Sequence, residues 1–315
     1  MAQYLTAWLP EYAARQDLRE STYAFYDGLL RNHLLPALGR IRLQDLRADH
    51  IAPVIHVADG AARSRLHRYT LLNRALADAV LKNLIAVNPC DRVERPKKGQ
   101  SVEKRALTED EIHALLTAAH SFRGAARLEL PIAVLVTTGL RIGEFLALRW
   151  SDVDLGAGQF TVRRTARTYS GRGTVYSDPK TAHGRRTIEL SAKIIDLLQR
   201  HRVKQHEERL QLGPIWTNND LVFPSRVGTP WDAKNFYRDY RALVDTRSGI
   251  AQPNEINVHT LRHTAATIWI KAGVEIFTVS RRRGHSDAAF TMNRYGHLVP
   301  GMQGTAAQAL DHLFA

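Results

Sequence analysis

The sequence predicts a mainly α-helical protein with a small antiparallel β-sheet, an α+β chain of two domains. Three observations carry this. Apolar residues recur at helical spacing through residues 1 to about 90, and again through most of the chain beyond 107. Between these regions DRVERPKKGQSVEKR carries Pro96, Gly99 and many charges but almost no large apolar residue, the composition of a linker. Three short segments, QFTVRRTA, GTVYSD and RRTIEL, alternate as strands do. The expected organisation is therefore residues 1–90, a linker over 91–106, and a second domain over 107–315.

The first region reads as helix after helix. Tyr4, Leu5, Trp8 and Leu9 form one stripe, which Tyr12 extends. Ser21 is the expected cap of a second helix bearing Tyr23, Tyr26, Leu29 and Leu30 on one side. Pro36 and Gly39 then break the chain. A long helix is expected from about Ala62 to Ala86, with Leu66, Tyr69, Leu72, Leu76, Val80 and Leu84 for its core. Arg63, Arg65, Arg68, Arg74 and Lys82 accompany it. Such a face is usually just solvated, but in a basic chain these arginines, and the linker's Lys97 and Lys98, are candidates for DNA backbone contact.

The second region opens on a capping box, Thr108 to Glu111, ahead of Ile112, Leu115 and Leu116. PIAVLVTTGLRIGEFLALRW predicts a buried helix pair turning at Gly139. The three strands follow, with Lys180 in the turn before the last, and Ser191 is the expected cap of a long helix to about Leu212. LVFPS is one more extended piece. Helices are expected over Asp232–Val244, His259–Ala272, Glu275–Arg283 and, last, Thr305–Phe314.

Composition narrows the partner. A hydrophobic content of 44% is that of a globular chain. A formal net charge of +13 opposes compactness and suits an extended polyanion. The single cysteine, Cys90, rules out an internal disulfide framework and reads as structural. No apolar run approaches the ~20 residues that cross a bilayer, and MAQYLTAWLPEYAARQ lacks the order of a secretory signal, so a cytoplasmic protein is expected.

The chemistry gathers between His259 and Tyr295, where His259, Arg262, His285 and Tyr295 fall together without a nucleotide loop or metal-ligand set. Cleaving a phosphodiester without metal requires cationic forks aimed at the non-bridging oxygens. Arginine serves this better than lysine, being bidentate and permanently charged. Arg141 and Arg262 are the candidates, each near a helix start where the dipole favours an anion. Arg141 interrupts an apolar run in which an unpaired charge is costly, and Glu144, one turn on, is placed to orient it. A tyrosine is only about 0.1% ionised at pH 7 and needs a proton acceptor and cationic surroundings. His259 and His285 suit the part of acid, base or phosphate donor, and Lys180 that of an acid for the departing 5′ oxygen. His259 and His263 are spaced like a zinc pair, but Thr-Leu-Arg between them supplies no glutamate base, so no metal site is expected and His263 reads as structural.

Taken together, TTGLRIGEFLALRWSDVD, PKTAHGRR, HTLRHTAAT, VSRRRGHSD and NRYGH, in this order and spacing, strongly resemble the tyrosine recombinase (phage integrase) family over essentially the whole chain. The resemblance implies a helical, SAM-like core-binding domain in residues 1–90 and a catalytic domain in 107–315, closing as a clamp around DNA. It implies that Tyr295 attacks the scissile phosphate to form a 3′-phosphotyrosine link, freeing a 5′ hydroxyl. Arg141 and Arg262 would clamp the phosphate with His285 as a further donor, Lys180 would protonate the leaving oxygen, and His259 would exchange the tyrosine's proton.

Neither ATP, metal nor another cofactor is implied. The implied partners are duplex DNA with specific recombination sites, three further protomers in a tetramer on that DNA, and accessory DNA-bending proteins, at the nucleoid. The C-terminal helix AAQALDHLF would dock on a neighbour. A Xer-like resolvase, a topoisomerase IB-like enzyme and an inactive DNA-binding regulator stay open as alternatives. The arm-binding domain that many phage integrases carry ahead of these helices is not seen in this sequence.

One residue departs from the family's pattern. Arg283 stands just before Gly-His, where the family usually has leucine. A charge there finds a partner, reaches DNA, or destabilises the loop that holds His285.

Overall fold

The stripes of apolar residues become two separate cores, in units spanning Met1–Val102 and Glu103–Ala315. The structure is a computed structural model that describes residues 1–57, 61–99, 105–121, 127–169, 171–179, 184–246, 248–284 and 288–296.

The first unit is helical: α1 (Ala2–Arg15), α2 (Glu20–Leu29), α3 (Leu35–Leu38), α4 (Ala48–Ala52) and α5 (Ala62–Leu81). Wider π-type turns follow α2 and α4, over Leu30–Leu34 and Pro53–Val57. As expected, α1 buries Leu5, Trp8, Leu9 and Tyr12. Trp8 stacks on Tyr12 at 4.7 Å and its indole N–H donates to Asp78 of α5 at 2.7 Å, which satisfies the one polar atom of a buried ring. Arg15 pairs with the same carboxylate. Burial, with the charges of Asp78 and Glu11, pushes the Tyr4 phenol up to about 12 while it donates to the Ala75 carbonyl at 2.6 Å.

Two expectations shift here. Helix α2 begins at Glu20 after Arg19, one residue before the expected Ser21 cap, and its acid sits in the first turn, where the dipole favours it. Helix α5 stops at Leu81 because Asn83 turns left-handed at φ 55°, and Leu84 is exposed instead of buried. Cys90 is buried and its thiol is pushed up to about 12, first by burial and then by Asp91, as befits a structural residue. Val93, near the start of the expected linker, joins the first core, and Leu107, the residue just after it, joins the second.

The second unit opens as the capping box predicts, with Glu111 N–H donating to Thr108 Oγ1 at 3.2 Å and Thr108 N–H to Glu111 Oε2 at 2.9 Å. Helices α6 (Glu109–Ser121), α7 (Glu129–Thr138) and α8 (Ile142–Leu146) follow. Nearly every residue of α7 is buried, since it packs against α6, α9 and α11. The expected single sheet is instead two. One has the order β1 (Val153–Asp154), β2 (Gln159–Val162), β5 (Arg186–Glu189), all antiparallel, with buried Phe160 opposite Ile188. The other is the hairpin of β3 (Thr165–Tyr169) and β4 (Gly173–Ser177). QFTVRRTA divides because Arg163 and Arg164 both turn onto Asp152, at 3.3 and 2.7 Å, which takes them out of the strand ladder. Gly143 lets α8 lie against that hairpin; a Cβ there would meet Thr165 Oγ1 at 2.5 Å.

The remaining elements are α9 (Ala192–Leu212), α10 (Ala233–Thr246), α11 (Val258–Lys271), α12 (Ile276–Arg283) and α13 (Ala288–Tyr295). Ser191 precedes α9 as expected but makes no side-chain cap bond. LVFPS forms only isolated bridges, Arg149 with Leu221 and Pro224 with Pro230. Phe145 of α8 stacks on Phe223 at 4.3 Å and lies 5.8 Å from Phe236, which closes the core between α8 and α10. Among the described residues no helix is long and apolar enough to cross a membrane. The last expected helix, Thr305–Phe314, lies outside the described residues.

Candidate active site

Three chain segments far apart in sequence meet around one carboxylate. The first is the turn from α7 to α8, where Gly139 adopts φ 64°, a left-handed geometry that favours glycine. Arg141 then caps α8. Its backbone N–H and its guanidinium both donate to Glu144, at 3.0 and 2.8 Å. The second segment is β5, whose Arg186 donates to Glu144 Oε2 at 2.9 Å and Oε1 at 3.2 Å. The third is α11, set by Asn257, whose side chain accepts from the N–H groups of His259 and Thr260. One turn in, Arg262 is buried at 2% exposure.

The C-terminal end of α12 ties these arginines together. Three consecutive carbonyls, which a helix end leaves without intrahelical partners, are each taken by a different guanidinium. Arg186 donates to Arg282 O at 2.6 Å, Arg262 to Arg283 O at 2.5 Å, and Arg141 to Gly284 O at 3.3 Å. Arg262 also donates to Gly139 O at 2.5 Å. The negative end of the helix dipole thus helps to offset three crowded cations.

The electrostatics remain lopsided. Burial alone would push the Glu144 carboxyl up, but hydrogen bonds from Arg186 and the charges of Arg186, Arg141 and Arg262 bring it down to about 2. Burial pulls Arg262 well below the ordinary arginine value, and Arg141, Arg283 and Arg186 pull the same way against Glu144. Among the described residues, four guanidiniums with one carboxylate between them make a centre that gains from an added anion. Arg141 is its open member, with a side chain 43% exposed against 8% for Arg186.

Tyr295, at the end of α13, is 4% exposed and packs with Ala266, Ile270 and Val279. His263 Nδ1 lies 2.5 Å from its hydroxyl, and Arg283 donates to the same oxygen with its guanidinium 5.0 Å from the ring centroid.

Among the residues expected from sequence, Arg141, Glu144 and Arg262 are brought together. His259, expected to exchange the tyrosine's proton, is exposed at the start of α11 with its ring edge-on to His263 at 4.8 Å; His263 is what reaches the hydroxyl. His263, read from sequence as structural, is buried with this contact to Tyr295. Its partner lies 32 residues away, so only the packing of α13 on α11 reveals it. Arg186 was not singled out from sequence; a charged residue opening a strand carries no local sign of burial. Lys180 and His285 lie outside the described residues.

In the first unit Arg68, a candidate DNA contact, is 1% exposed. Arg74 is exposed and donates to Tyr12 Oη at 2.7 Å, Arg65 is half-buried and donates to His56 O at 3.2 Å, and Arg63, Lys97 and Lys98 are exposed.

Residues 105–301 match the family described as "Phage integrase family", well over half of the chain. The chain belongs to the phage integrase family. Residues 1–56 match the "Phage integrase, N-terminal SAM-like domain", in keeping with the resemblance drawn from the motifs. Two relatives within the known phage integrases and their kin span all of this chain. The "Integrase" of Streptomyces ambofaciens is 30% identical, with 80% of its length covered. The "Tyrosine recombinase XerC-like" of Caldanaerobacter subterraneus subsp. tengcongensis is 26% identical, with 83% covered.

Among solved phage integrase folds, the Tn1549 transposon integrase in complex with transposon right end DNA superposes with a TM-score of 0.77 at 20% identity, covering 100% of this chain and 99% of that one. A lambda integrase tetramer bound to a Holliday junction superposes with a TM-score of 0.65 at 19% identity, covering 91% and 77%. At these identities the structures speak for the fold alone.

Proposed function

We propose that this phage integrase family chain is a site-specific DNA recombinase that cuts and rejoins duplex DNA through a 3′-phosphotyrosine at Tyr295. The observation that carries the proposal is the cluster of Arg141, Arg186 and Arg262 around the single carboxylate of Glu144. It is an electropositive centre built for an anion, and a buried tyrosine hydroxyl is held by a fourth arginine that belongs to it.

A scissile phosphate first meets Arg141, the exposed member, with Arg262 behind it. A guanidinium has five N–H donors, so the two backbone bonds of Arg262 leave capacity for phosphate oxygens. As charge grows on the non-bridging oxygens, these fixed donors stabilise it without reorganising, an effect worth about 10²–10³ in rate per donor. The Tyr295 Oη–phosphorus bond forms while the bond from phosphorus to the 5′ oxygen breaks. The phenol proton leaves, and Lys180 supplies a proton to the 5′ oxygen. His285 is a further phosphate donor in this reading. One phosphoester replaces another, so the reaction is near balance and ATP has no part to play. The charge that a divalent metal would contribute comes from arginine.

The helical first unit would then hold the duplex against the second, and four protomers would exchange strands in pairs, with the C-terminal helix docked on a neighbour. DNA-bending proteins would assist at the nucleoid. The names of the relatives, integrases alongside a XerC-like recombinase, favour integration with resolution of replicon dimers as the second reading.

Nicked duplexes tiling the DNA that borders the chain's own gene supply the test, because loss of the short cleaved fragment traps the adduct. A covalent protein–DNA species forms in EDTA with the natural chain, and none with Tyr295→Phe. Binding to these duplexes without any adduct sinks the proposal.

A further inference from the structure

We propose that Arg283 and His263 are catalytic residues that act on the nucleophile: Arg283 holds the Tyr295 oxygen as a hydrogen-bond acceptor, and His263 Nδ1 receives the phenol proton. The inference rests on Tyr295 being the nucleophile.

Arginine carries donors only, so in its contact with Tyr295 the phenol oxygen must accept. That leaves the phenol's own proton for the lone pair of a neutral His263 Nδ1, 2.5 Å away. The two neighbours are therefore complementary. One stabilises negative charge on the oxygen and the other takes the proton that its formation releases. A charge-assisted bond strengthens as negative charge develops on the oxygen it reaches, so the Arg283 donor is placed to serve the transition state.

The position of Arg283 supports the assignment over a packing role. It is 2% exposed, a place where an unpaired guanidinium would be costly, and the cost is increased by Arg262 close enough to be depressed by it. An apolar side chain there would avoid that penalty. Its backbone carbonyl is gripped by Arg262 while its side chain reaches the other way to Tyr295. Residue 283 thus joins the phosphate clamp to the nucleophile through a single residue. Among the described residues, the charged and titratable groups placed at the hydroxyl are His263 of α11, with the ring of His259 against its own, and Arg283 of α12, whose charge also acts on Arg262.

The step balances. The Tyr295 O–H bond breaks, the proton forms an N–H bond at His263 Nδ1, and the phenolate lone pair forms the bond to phosphorus. The exposed ring of His259, edge-on at 4.8 Å, offers the proton a way to solvent. His259 keeps a place in the proton's path, one ring back from the oxygen.

The test is the rate of covalent adduct formation on the nicked duplexes described above, followed from pH 6 to pH 9 with the full chain. Arg283→Met is expected to be slower by about 100-fold at pH 7, the size of an acid–base contribution, and to approach the natural chain as the pH rises. Arg283→Lys, which keeps a charged donor, recovers most of the rate. His263→Asn is slowed chiefly at low and neutral pH. Placing the more acidic 3,5-difluorotyrosine at position 295 rescues Arg283→Met and changes the natural chain little.

The inference is overturned if Arg283→Met is as fast as the natural chain or faster. It is equally overturned if the defect is the same at every pH and difluorotyrosine does not relieve it. Should Arg283→Met not fold, Arg283→Lys and the difluorotyrosine form of the natural chain decide, because a large gain from difluorotyrosine alone means that the oxygen was not already activated. Absence of any adduct from the natural chain is a separate result, which strikes the recombinase reading itself.

Discussion

Replacing Glu144 with glutamine removes the one carboxylate shared by Arg141 and Arg186 while keeping its shape. Its carboxyl is carried from an ordinary 4.5 down to about 2. At roughly 1.36 kcal/mol per pH unit that is about 3 kcal/mol of folding stability. The side chain is 4% exposed, so solvent screening takes little from this figure. The independent cost of breaking a buried pair by removing one partner, about 3–5 kcal/mol, agrees. For a domain of this size each kcal/mol moves Tm by roughly 2–4 °C, so Glu144→Gln should melt roughly 6–12 °C lower at pH 7.

The pH dependence is the sharper check. The folded value of Glu144 lies below the unfolded one, so its stabilisation is fully present above pH 4.5 and is lost as the pH falls toward about 2. The gap in Tm between natural chain and variant, followed by circular dichroism, should stay level from pH 7 to pH 5 and narrow below. A gap that does not change between pH 5 and pH 3, or no gap at pH 7, would refute the account of Glu144 as the counter-ion of the cluster.

Two further outcomes are expected. Arg262→Ala should bind the nicked duplexes nearly as the natural chain does, yet form adduct slower by about 10²-fold or more, since its donors serve transition-state charge; a fall in binding as steep as the fall in cleavage would make Arg262 a positioning residue. Affinity for duplex DNA, measured by fluorescence anisotropy, should drop by about 10³ or more between 50 and 200 mM salt if six or more phosphates are neutralised, and a flat response would argue against a DNA clamp.

How far the sequence reached depended on how local each signal was. The Thr108–Glu111 box and the Gly139 turn lie within a few residues of their own effects, and both stand where expected. Arg141 announced itself by interrupting an apolar run, with Glu144 three residues on. QFTVRRTA read as one strand because alternation continues across Arg163 and Arg164, and only Asp152, placed by the turn before β1, divides it. Arg68 looked solvated for want of any local sign that its helix would bury it. Helix α5 ran short because Asn83 adopts a left-handed turn that a helical pattern does not encode.

By itself, the sequence determined the helical classes, the family motifs and the tyrosine to be tested first, since these rest on residue type and spacing along the chain. Only the tertiary structure decided which groups touch that tyrosine. The meeting of Arg186, His263 and Arg283 with Glu144 and Tyr295 spans distances of up to 42 residues in sequence, and each contact exists because α8, β5, α11, α12 and α13 pack on one another. Periodicity reports whether a face is apolar, but a hydrogen bond between buried polar groups depends on positions in space. For the same reason Arg283, a departure from its family's pattern in the linear sequence, is in the folded protein the residue whose carbonyl accepts from Arg262 and whose side chain donates to Tyr295.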